Sequence, residues 1–225
     1  MTAYPENGAE RVRILRVRAA DGGAKLVLTV DVSSEGKTER EELGIFAARF
    51  DKAPAAGEID AETLAILRRE AALCGALEQG LRCLSAGGAS RVSLTRKLRA
   101  KGVDKEIAEA AVEELDARGY LREADGALRE AEKGLAKLWG DRRILAELRR
   151  KGYGDEALAE VRERLSEEDG AARCRRLLQK RRLLPDGNAA GDRRAADKLI
   201  AALMRYGYGA DEIRDALRAE LEERE

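Results

Sequence analysis

One six-residue element occurs three times in this chain, and its spacing constrains the fold more than any other feature. The copies are LRAKGV at 98–103, LRRKGY at 148–153 and LMRYGY at 203–208. Their glycines, Gly102, Gly152 and Gly207, lie 50 and 55 residues apart, and an acidic, amphipathic segment follows each of them. A repeat of this length predicts a helical array in which neighbouring units complete each other's core.

The composition also favours a mainly α-helical chain. Ala, Leu, Glu, Arg and Lys, which are strong helix formers, dominate the 225 residues, and only 3 prolines interrupt them. From about residue 61 onwards, apolar residues recur at three- and four-residue steps, as they do in amphipathic helices. We therefore predict three tandem three-helix repeats, at 58–119, 120–165 and 166–225. Units that contact only their neighbours should form an elongated array.

Local signals predict where several of these helices begin and end. Gly87 and Gly88 end the first helix, and Ser90 is placed to cap the second. The glycine of each repeated element follows one helix and precedes another. We therefore expect all three glycines to adopt the left-handed conformation that ends a helix.

The N-terminal region follows a different pattern. Apolar residues alternate with other residues, many of them arginines, from Val12 to Val17 and again from Leu26 to Val32, on either side of a turn signal at 21–23. This alternation predicts a β-hairpin. The stretch 43–50 is predicted as a third strand rather than a short helix. Residues 1–57 are thus assigned to a small β-hairpin module and its linker.

Charge and residue content exclude several classes of function. Lys plus Arg and Asp plus Glu both number 43, and His is absent. Because His is the commonest general base and zinc ligand, we predict that the protein is not an enzyme and holds no metal or cofactor. The 3 cysteines form no CxxC pair, which is typical of buried thiols in a reducing cytosol. With no membrane-length apolar run and no signal-peptide core, the chain is predicted to be cytoplasmic, and we expect a monomer.

Basic residues cluster at matching places in the repeats. Residues 91–101 hold five basic residues and residues 172–182 hold six, and neither stretch contains an acid. Solvated helix faces are one explanation, but the recurrence favours a continuous basic stripe suited to a phosphate backbone or an acidic protein surface. The residues assigned to filament or nucleic-acid binding are Arg96, Lys97, Arg99, Lys101, Arg142, Arg143, Arg149, Arg150, Lys151, Arg175, Arg176, Lys180, Arg181 and Arg182. The third helices are acidic, which argues against sequence-specific binding of duplex DNA.

The few aromatic residues are predicted to pack rather than to bind. Trp139 is the only tryptophan and lies just before a helix start. Such a ring can stack on a nucleic-acid base, but a core or interface anchor is the commoner role. Tyr120, Tyr153 and Tyr208 each follow a glycine near a helix end, and we expect them to pack against a neighbouring unit.

Three stretches together resemble the RecX family, whose members regulate the RecA recombinase. They are the repeated L-x-x-KG element, KLWGDRRILAELRRKGY and LLQKRR. The resemblance covers about residues 58–224. It implies three tandem three-helix repeats in an elongated, curved molecule that lies in the groove of the RecA–single-stranded-DNA filament. There it would block filament extension, strand exchange and the ATPase and coprotease activities of RecA, in recombination, DNA repair and the SOS response.

One part of the second repeat matches the family closely and another departs from it. The family pattern K-x-x-G-x-x-R-I-x-x-E-L-x-x-K-G falls on Lys137, Gly140, Arg143, Ile144, Glu147, Leu148, Lys151 and Gly152. The family usually opens this repeat with Leu-Asp-Asp-x-x-Phe-Ala, whereas this chain has Leu121-Arg122-Glu123-Ala124-Asp125-Gly126-Ala127. The loss of the acidic pair and the aromatic residue bears on how the first repeat packs against the second, and on the strength of RecA inhibition.

Three classes of function follow. We favour an inhibitory modulator that binds the RecA nucleoprotein filament through a concave basic face and contacts single-stranded DNA directly or through RecA. A zero net charge suits a partner that offers both acidic protein surface and phosphate. The alternatives are a sequence-nonspecific nucleic-acid-binding protein that acts without RecA, and a helical-repeat adaptor that binds other proteins through its acidic third helices.

Overall fold

Helices make up most of the structure. The computed structural model describes residues 11–34, 37–181, 183 and 193–223, and four strands and nine helices lie within them. The strands are β1 (Arg11–Ala20), β2 (Lys25–Ser34), β3 (Lys37–Phe46) and β4 (Gly57–Ile59). The helices are α1 (Ala61–Ser85), α2 (Arg91–Ala100), α3 (Lys105–Ala117), α4 (Glu123–Ala136), α5 (Asp141–Arg150), α6 (Asp155–Ser166), α7 (Gly170–Arg181), α8 (Arg193–Arg205) and α9 (Ala210–Glu222). The predicted class, tandem three-helix repeats behind a β module, is confirmed.

The chain divides into two compact units. One comprises Met1–Arg82 and Lys97–Ala117, and the other comprises Cys83–Arg96 and Arg118–Glu225. The first therefore holds the sheet, most of α1 and all of α3, whereas the second holds α4 to α9. The division into one β module and three separate repeats stays a prediction.

The sheet of the first unit packs on α1. It is antiparallel, with strand order β3-β2-β1-β4, and it contains the predicted hairpin of β1 and β2. Ile14 lies opposite Val30, and both side chains are buried against Leu64 and Leu67 of α1. One face of the sheet is therefore core, because alternate residues of a strand point to opposite faces.

The third strand differs from its predicted bounds. It begins at Lys37 and ends at Phe46, and Ala47–Arg49 form a single 3-10 turn instead of continuing it. The backbone N–H of Ala47 donates to the carbonyl of Ala24 at 3.0 Å, beyond the last strand pair. Alanine has a low preference for strands, which explains why pairing stops there.

The repeated element is a helix C-cap of the Schellman type. In the first copy the N–H of Gly102 donates to the carbonyl of Arg99 at 3.0 Å, and that of Val103 to Leu98 at 3.2 Å. The second and third copies make the same two bonds at 2.9–3.3 Å. The glycine φ angles are 87°, 80° and 97°, so the predicted left-handed conformations are confirmed. The leucine of each copy is almost fully buried.

Two of these glycine turns receive the start of a helix from the preceding repeat. The predicted cap is confirmed, since Ser90 Oγ accepts a hydrogen bond from Ser93 N–H at 3.0 Å, and it also donates to the carbonyl of Lys151 at 2.5 Å. In the next repeat, the N–H of Gly140 donates to the carbonyl of Tyr206 at 2.8 Å. In both places the first turn of a second helix lies against the glycine turn of the repeat that follows.

The departure from the family pattern is accommodated by a close backbone approach. Gly126 takes the place of the family's aromatic residue. A Cβ built on Gly88 would lie 2.4 Å from the Cα of Gly126. The Tyr153 hydroxyl lies 3.2 Å from where a Gly126 Cβ would be. Glu123 still supplies a carboxylate, which accepts a hydrogen bond from Arg91 N–H at 2.5 Å. The α1–α2 connection therefore packs directly on α4 without the aromatic ring.

Alanine substitutions at the three repeat glycines should separate backbone strain from docking. A Cβ at Gly102 meets nothing within 4 Å, whereas one at Gly152 lies 2.6 Å from Val92 Cβ and one at Gly207 lies 2.5 Å from Arg143 Cβ. Gly102→Ala should cost about 1–2 kcal/mol of unfolding free energy, from the left-handed conformation alone. Gly152→Ala and Gly207→Ala should each cost more, because overlap is added to the strain. Urea unfolding measures this, and equal losses for all three would contradict it.

Candidate functional site

The candidate site lies where the second and third repeats meet, within the second compact unit. The connection from α4 to α5 reverses at Leu138, which has φ 57° although it is not glycine. Such a conformation is strained and needs support. The Tyr208 hydroxyl donates to the Leu138 carbonyl at 2.8 Å, and the N–H of Trp139 donates to the Gly134 carbonyl at 3.0 Å. These bonds hold the backbone on either side of the tryptophan side chain.

Trp139 forms one wall of an open cleft, which we name the basic–aromatic cleft. Its volume is about 360 Å³, and four elements contribute to it: the end of α4 and the connection that follows, the first turn of α5, the end of α7, and the turn after α8. The lining residues are Ala136, Lys137, Leu138, Trp139, Arg143, Leu177, Lys180, Arg181 and Tyr206. Four cations and two aromatic rings thus share one concave surface.

Two of the four cations of the cleft, Lys137 and Arg143, lie over aromatic rings. The Arg143 guanidinium lies 4.3 Å from the centre of the Trp139 ring and 5.5 Å from that of Tyr206, and Lys137 Nζ lies 4.9 Å from Trp139. A cation over an aromatic face is attracted by the ring quadrupole and keeps its charge. Within the described part of the chain, none of the four cations forms an ion pair. Their hydrogen-bond donors are therefore available to an anionic partner.

Three of the predicted binding residues are neutralised by carboxylates instead. Arg150 pairs with Glu147 at 2.6 Å, and its hydrogen bond lowers the pKa of that carboxyl. Lys151 pairs with Glu130. Burial opposes ionisation of Glu130, but hydrogen bonds from its lysine partners outweigh it and lower its pKa. These cations offer less charge to a partner than the sequence suggested.

Arg175 is the third neutralised cation. It pairs with Glu220 of α9 at 3.0 Å and also with Glu223. Glu220 is buried, so this contact holds α7 against α9. Arg175 therefore serves packing inside the third repeat.

The remaining predicted residues fall into two groups. Arg143, Lys180 and Arg181 are brought together in the basic–aromatic cleft. Exposed side chains outside it belong to Arg96, Lys97, Arg99, Lys101, Arg142, Arg149 and Arg176. Arg182 lies outside the described residues.

The cleft also contains residues that sequence reasoning did not assign. Lys137 was noted only as part of the family pattern, and Tyr206 only as part of the third repeated element. Trp139 was interpreted as a packing anchor, and it does pack against a buried core cluster besides lining the cleft. The local signal for Trp139 was the Lys and Arg residues two and four positions away in the sequence. No local pattern marks Tyr206, because it reaches the cleft only through the contact between repeats. Among the other tyrosines, Tyr153 and Tyr208 are buried as predicted, but Tyr120 is 57% exposed, so the packing role predicted for it is wrong.

An ion pair between a buried arginine and a half-exposed aspartate joins α7 to α5, two of the helices that line the cleft. Arg173 of α7 is 1% exposed and pairs with Asp141, the first residue of α5. Removing one partner of a buried pair leaves an uncompensated charge. Asp141→Ala should therefore cost about 3 kcal/mol of unfolding free energy. Asp155→Ala, at the exposed start of α6, is the matched control and should cost about 0.5 kcal/mol. Similar losses in urea unfolding would contradict this role.

The emission of Trp139 should report on the cleft, since the chain has only 1 tryptophan. Arg143→Gln removes the guanidinium stacked on the ring, so the emission maximum and intensity should change while stability falls by no more than about 1 kcal/mol. Arg149→Gln, also on α5 but outside the cleft, should leave the emission unchanged. An unchanged spectrum for Arg143→Gln would mean that the stack does not form.

Two other kinds of site are not found among the residues that the structure describes. No helix in that part of the chain is long and apolar enough to cross a bilayer. Nor does any group of three or more metal-ligating side chains come together there.

The fold defines a mainly helical, helical-repeat protein. No family model matches the chain. The chain is 32% identical over 135 residues to the regulatory protein RecX of Amycolatopsis mediterranei (strain U-32), covering 58% of this chain and 74% of that relative. It is 34% identical over 140 residues to the regulatory protein RecX of Trichlorobacter lovleyi (strain ATCC BAA-1151 / DSM 17278 / SZ), covering 60% and 88%. The chain belongs to the RecX family, as its sequence motifs predicted.

Solved structures support the same assignment at the level of the fold. A crystal structure of regulatory protein RecX matches with a TM-score of 0.66 at 16% identity, over 92% of this chain and 99% of that one. A crystal structure of RecX from Lactobacillus salivarius matches with a TM-score of 0.54 at 16% identity, over 66% and 96%.

Proposed function

We propose that this protein regulates the RecA recombinase by binding the RecA–single-stranded-DNA filament, and that the basic–aromatic cleft is a principal contact. Membership of the RecX family supports the partner, and the observation that carries the site is the stacked, unpaired guanidinium of Arg143. A planar guanidinium fork recognises phosphate or carboxylate with two parallel hydrogen bonds. A nucleoprotein filament offers both groups.

The effect that we propose is inhibition. A protein bound along the filament occludes the surface on which further RecA subunits and a second DNA strand would assemble. It needs no catalytic group or cofactor for this, only affinity. The exposed cations outside the cleft, on α2, α5 and α7, are proposed to add charge to the same binding reaction, and we propose that a cytoplasmic monomer carries it out.

The test is the single-stranded-DNA-dependent ATPase of RecA, measured with the protein at substoichiometric ratios. The cleft variant carries four substitutions: Lys137→Gln, Arg143→Gln, Lys180→Gln and Arg181→Gln. At least about tenfold more of this variant than of the unmodified protein should be needed for the same inhibition, because four charge contacts are lost and each is worth a fraction of a kcal/mol. The control variant changes four exposed arginines elsewhere to Gln, namely Arg69, Arg122, Arg162 and Arg218. It removes the same charge and should inhibit normally.

Each result bears on the proposal. Loss of inhibition in the cleft variant alone, with an unchanged melting curve, supports it. Equal loss in both variants means that overall charge matters rather than the cleft. No effect of the unmodified protein on RecA would overturn the proposed function.

A further inference from the structure

A row of arginines lies on the outer face of the N-terminal sheet. Arg11, Arg13, Arg16 and Arg18 of β1 are all exposed, whereas Val12, Ile14 and Val17 pack into the core under the sheet. We name these four residues the arginine row. They belong to the first compact unit, and the basic–aromatic cleft belongs to the second.

A β-bulge places the whole row on one face. The pairing of β1 with β2 shifts between Ile14 and Arg16, which leaves Leu15 as an extra residue that is 40% exposed. Strict alternation from Ile14 would turn Arg16 and Arg18 towards the core and Val17 outwards. With the bulge, Val17 instead packs against the core. Bulges of this kind re-aim side chains and are common beside functional sites.

The acids near the row do not neutralise it. Asp31 lies opposite Arg13 on β2, but Arg40 of β3 holds it through two hydrogen bonds of 2.7 and 2.9 Å, which lower the pKa of the Asp31 carboxyl. Glu58 of β4 lies on the other side of Arg13, and Glu42 lies on β3. Among the described residues, no ion pair joins any of these acids to the row.

We propose that the arginine row binds the phosphate backbone of a nucleic acid. Residues two apart on one strand face are about 6.7 Å from each other, which applies to Arg11 with Arg13 and to Arg16 with Arg18. The bulge lies between these two pairs and keeps all four on one face, so the row is a line of cations that suits a linear polyanion. The neighbouring β2 residues Ser33 and Thr29, opposite Arg11 and Arg16, add hydroxyl groups of the kind that bind phosphates.

A nucleic acid suits this surface better than an acidic protein does. Protein interfaces have a core of aromatic and apolar residues inside a polar rim. On β1, the strand that carries the row, Leu15 is the one large apolar residue that is exposed. The contact should therefore be electrostatic, independent of sequence and sensitive to salt.

The experiment measures binding of a fluorescent oligothymidylate to the full chain without RecA, by anisotropy over a range of salt concentrations. Changing the whole row to Gln should weaken binding at least tenfold at low salt. It should also reduce the slope of log affinity against log salt by up to about 3, at about 0.7 for each phosphate contact with a single strand. The same four positions changed to Lys keep the charge and should keep most of the slope. The control variant at Arg69, Arg122, Arg162 and Arg218 should keep it fully.

Two further arms make every outcome decisive. Two double variants, Arg11→Gln with Arg13→Gln and Arg16→Gln with Arg18→Gln, should each show about half of the slope change of the fourfold variant. They test the inference if the fourfold variant does not fold. Polyglutamate replaces the oligonucleotide as a probe for an acidic protein partner. Unchanged oligonucleotide binding in the row variants, or a loss confined to polyglutamate, would overturn the inference. The RecA inhibition assay tests the proposed function separately, since that function does not depend on the row.

Discussion

The contact between the start of one helix and the glycine turn of the next repeat is the constraint on which the second compact unit depends. It is made by backbone atoms at Gly140 and Tyr206, and a Cβ on Gly207 would block it. The same contact brings Arg143 and Trp139 beside the Tyr206 ring. The basic–aromatic cleft is therefore a product of repeat stacking, because neither repeat alone supplies all of its walls.

Local pairing of charges matters more here than the zero net charge of the chain. Arg150, Lys151 and Arg175 have carboxylate partners, so less of their charge is available to a binding partner. Arg143 instead has an aromatic partner, and aromatic stacking holds a guanidinium in place without neutralising it. A neutral protein can thus present strongly basic surfaces wherever its arginines are held by rings or by strand geometry.

The sequence predicted those features that local interactions decide. The helices, the hairpin and the Ser90 cap follow from periodicity, turn residues and capping chemistry within a few positions. The pairing of Arg175 with Glu220 does not, because the two residues are 45 positions apart and nothing local connects them. The exposure of Tyr120 and the position of Tyr206 in the cleft could not be predicted for the same reason, because nothing close to either residue in the sequence determines them. The bulge did leave a trace, since Val17 follows Ile14 by three residues where strict alternation requires two.

The glycine of the repeated element has two roles: it ends a helix, and it allows the start of another helix to approach closely. The first copy shows that the first role does not depend on the second. Gly102 has the same left-handed conformation and the same pair of hydrogen bonds as Gly152 and Gly207, yet nothing among the described residues lies within 4 Å of where its Cβ would be. Its conformation must therefore come from helix termination and not from docking. In the later copies the absence of a side chain serves a second purpose, because it allows a helix start to approach the turn closely. Stacking of repeats thus uses a surface that every copy already needs in order to end its helix.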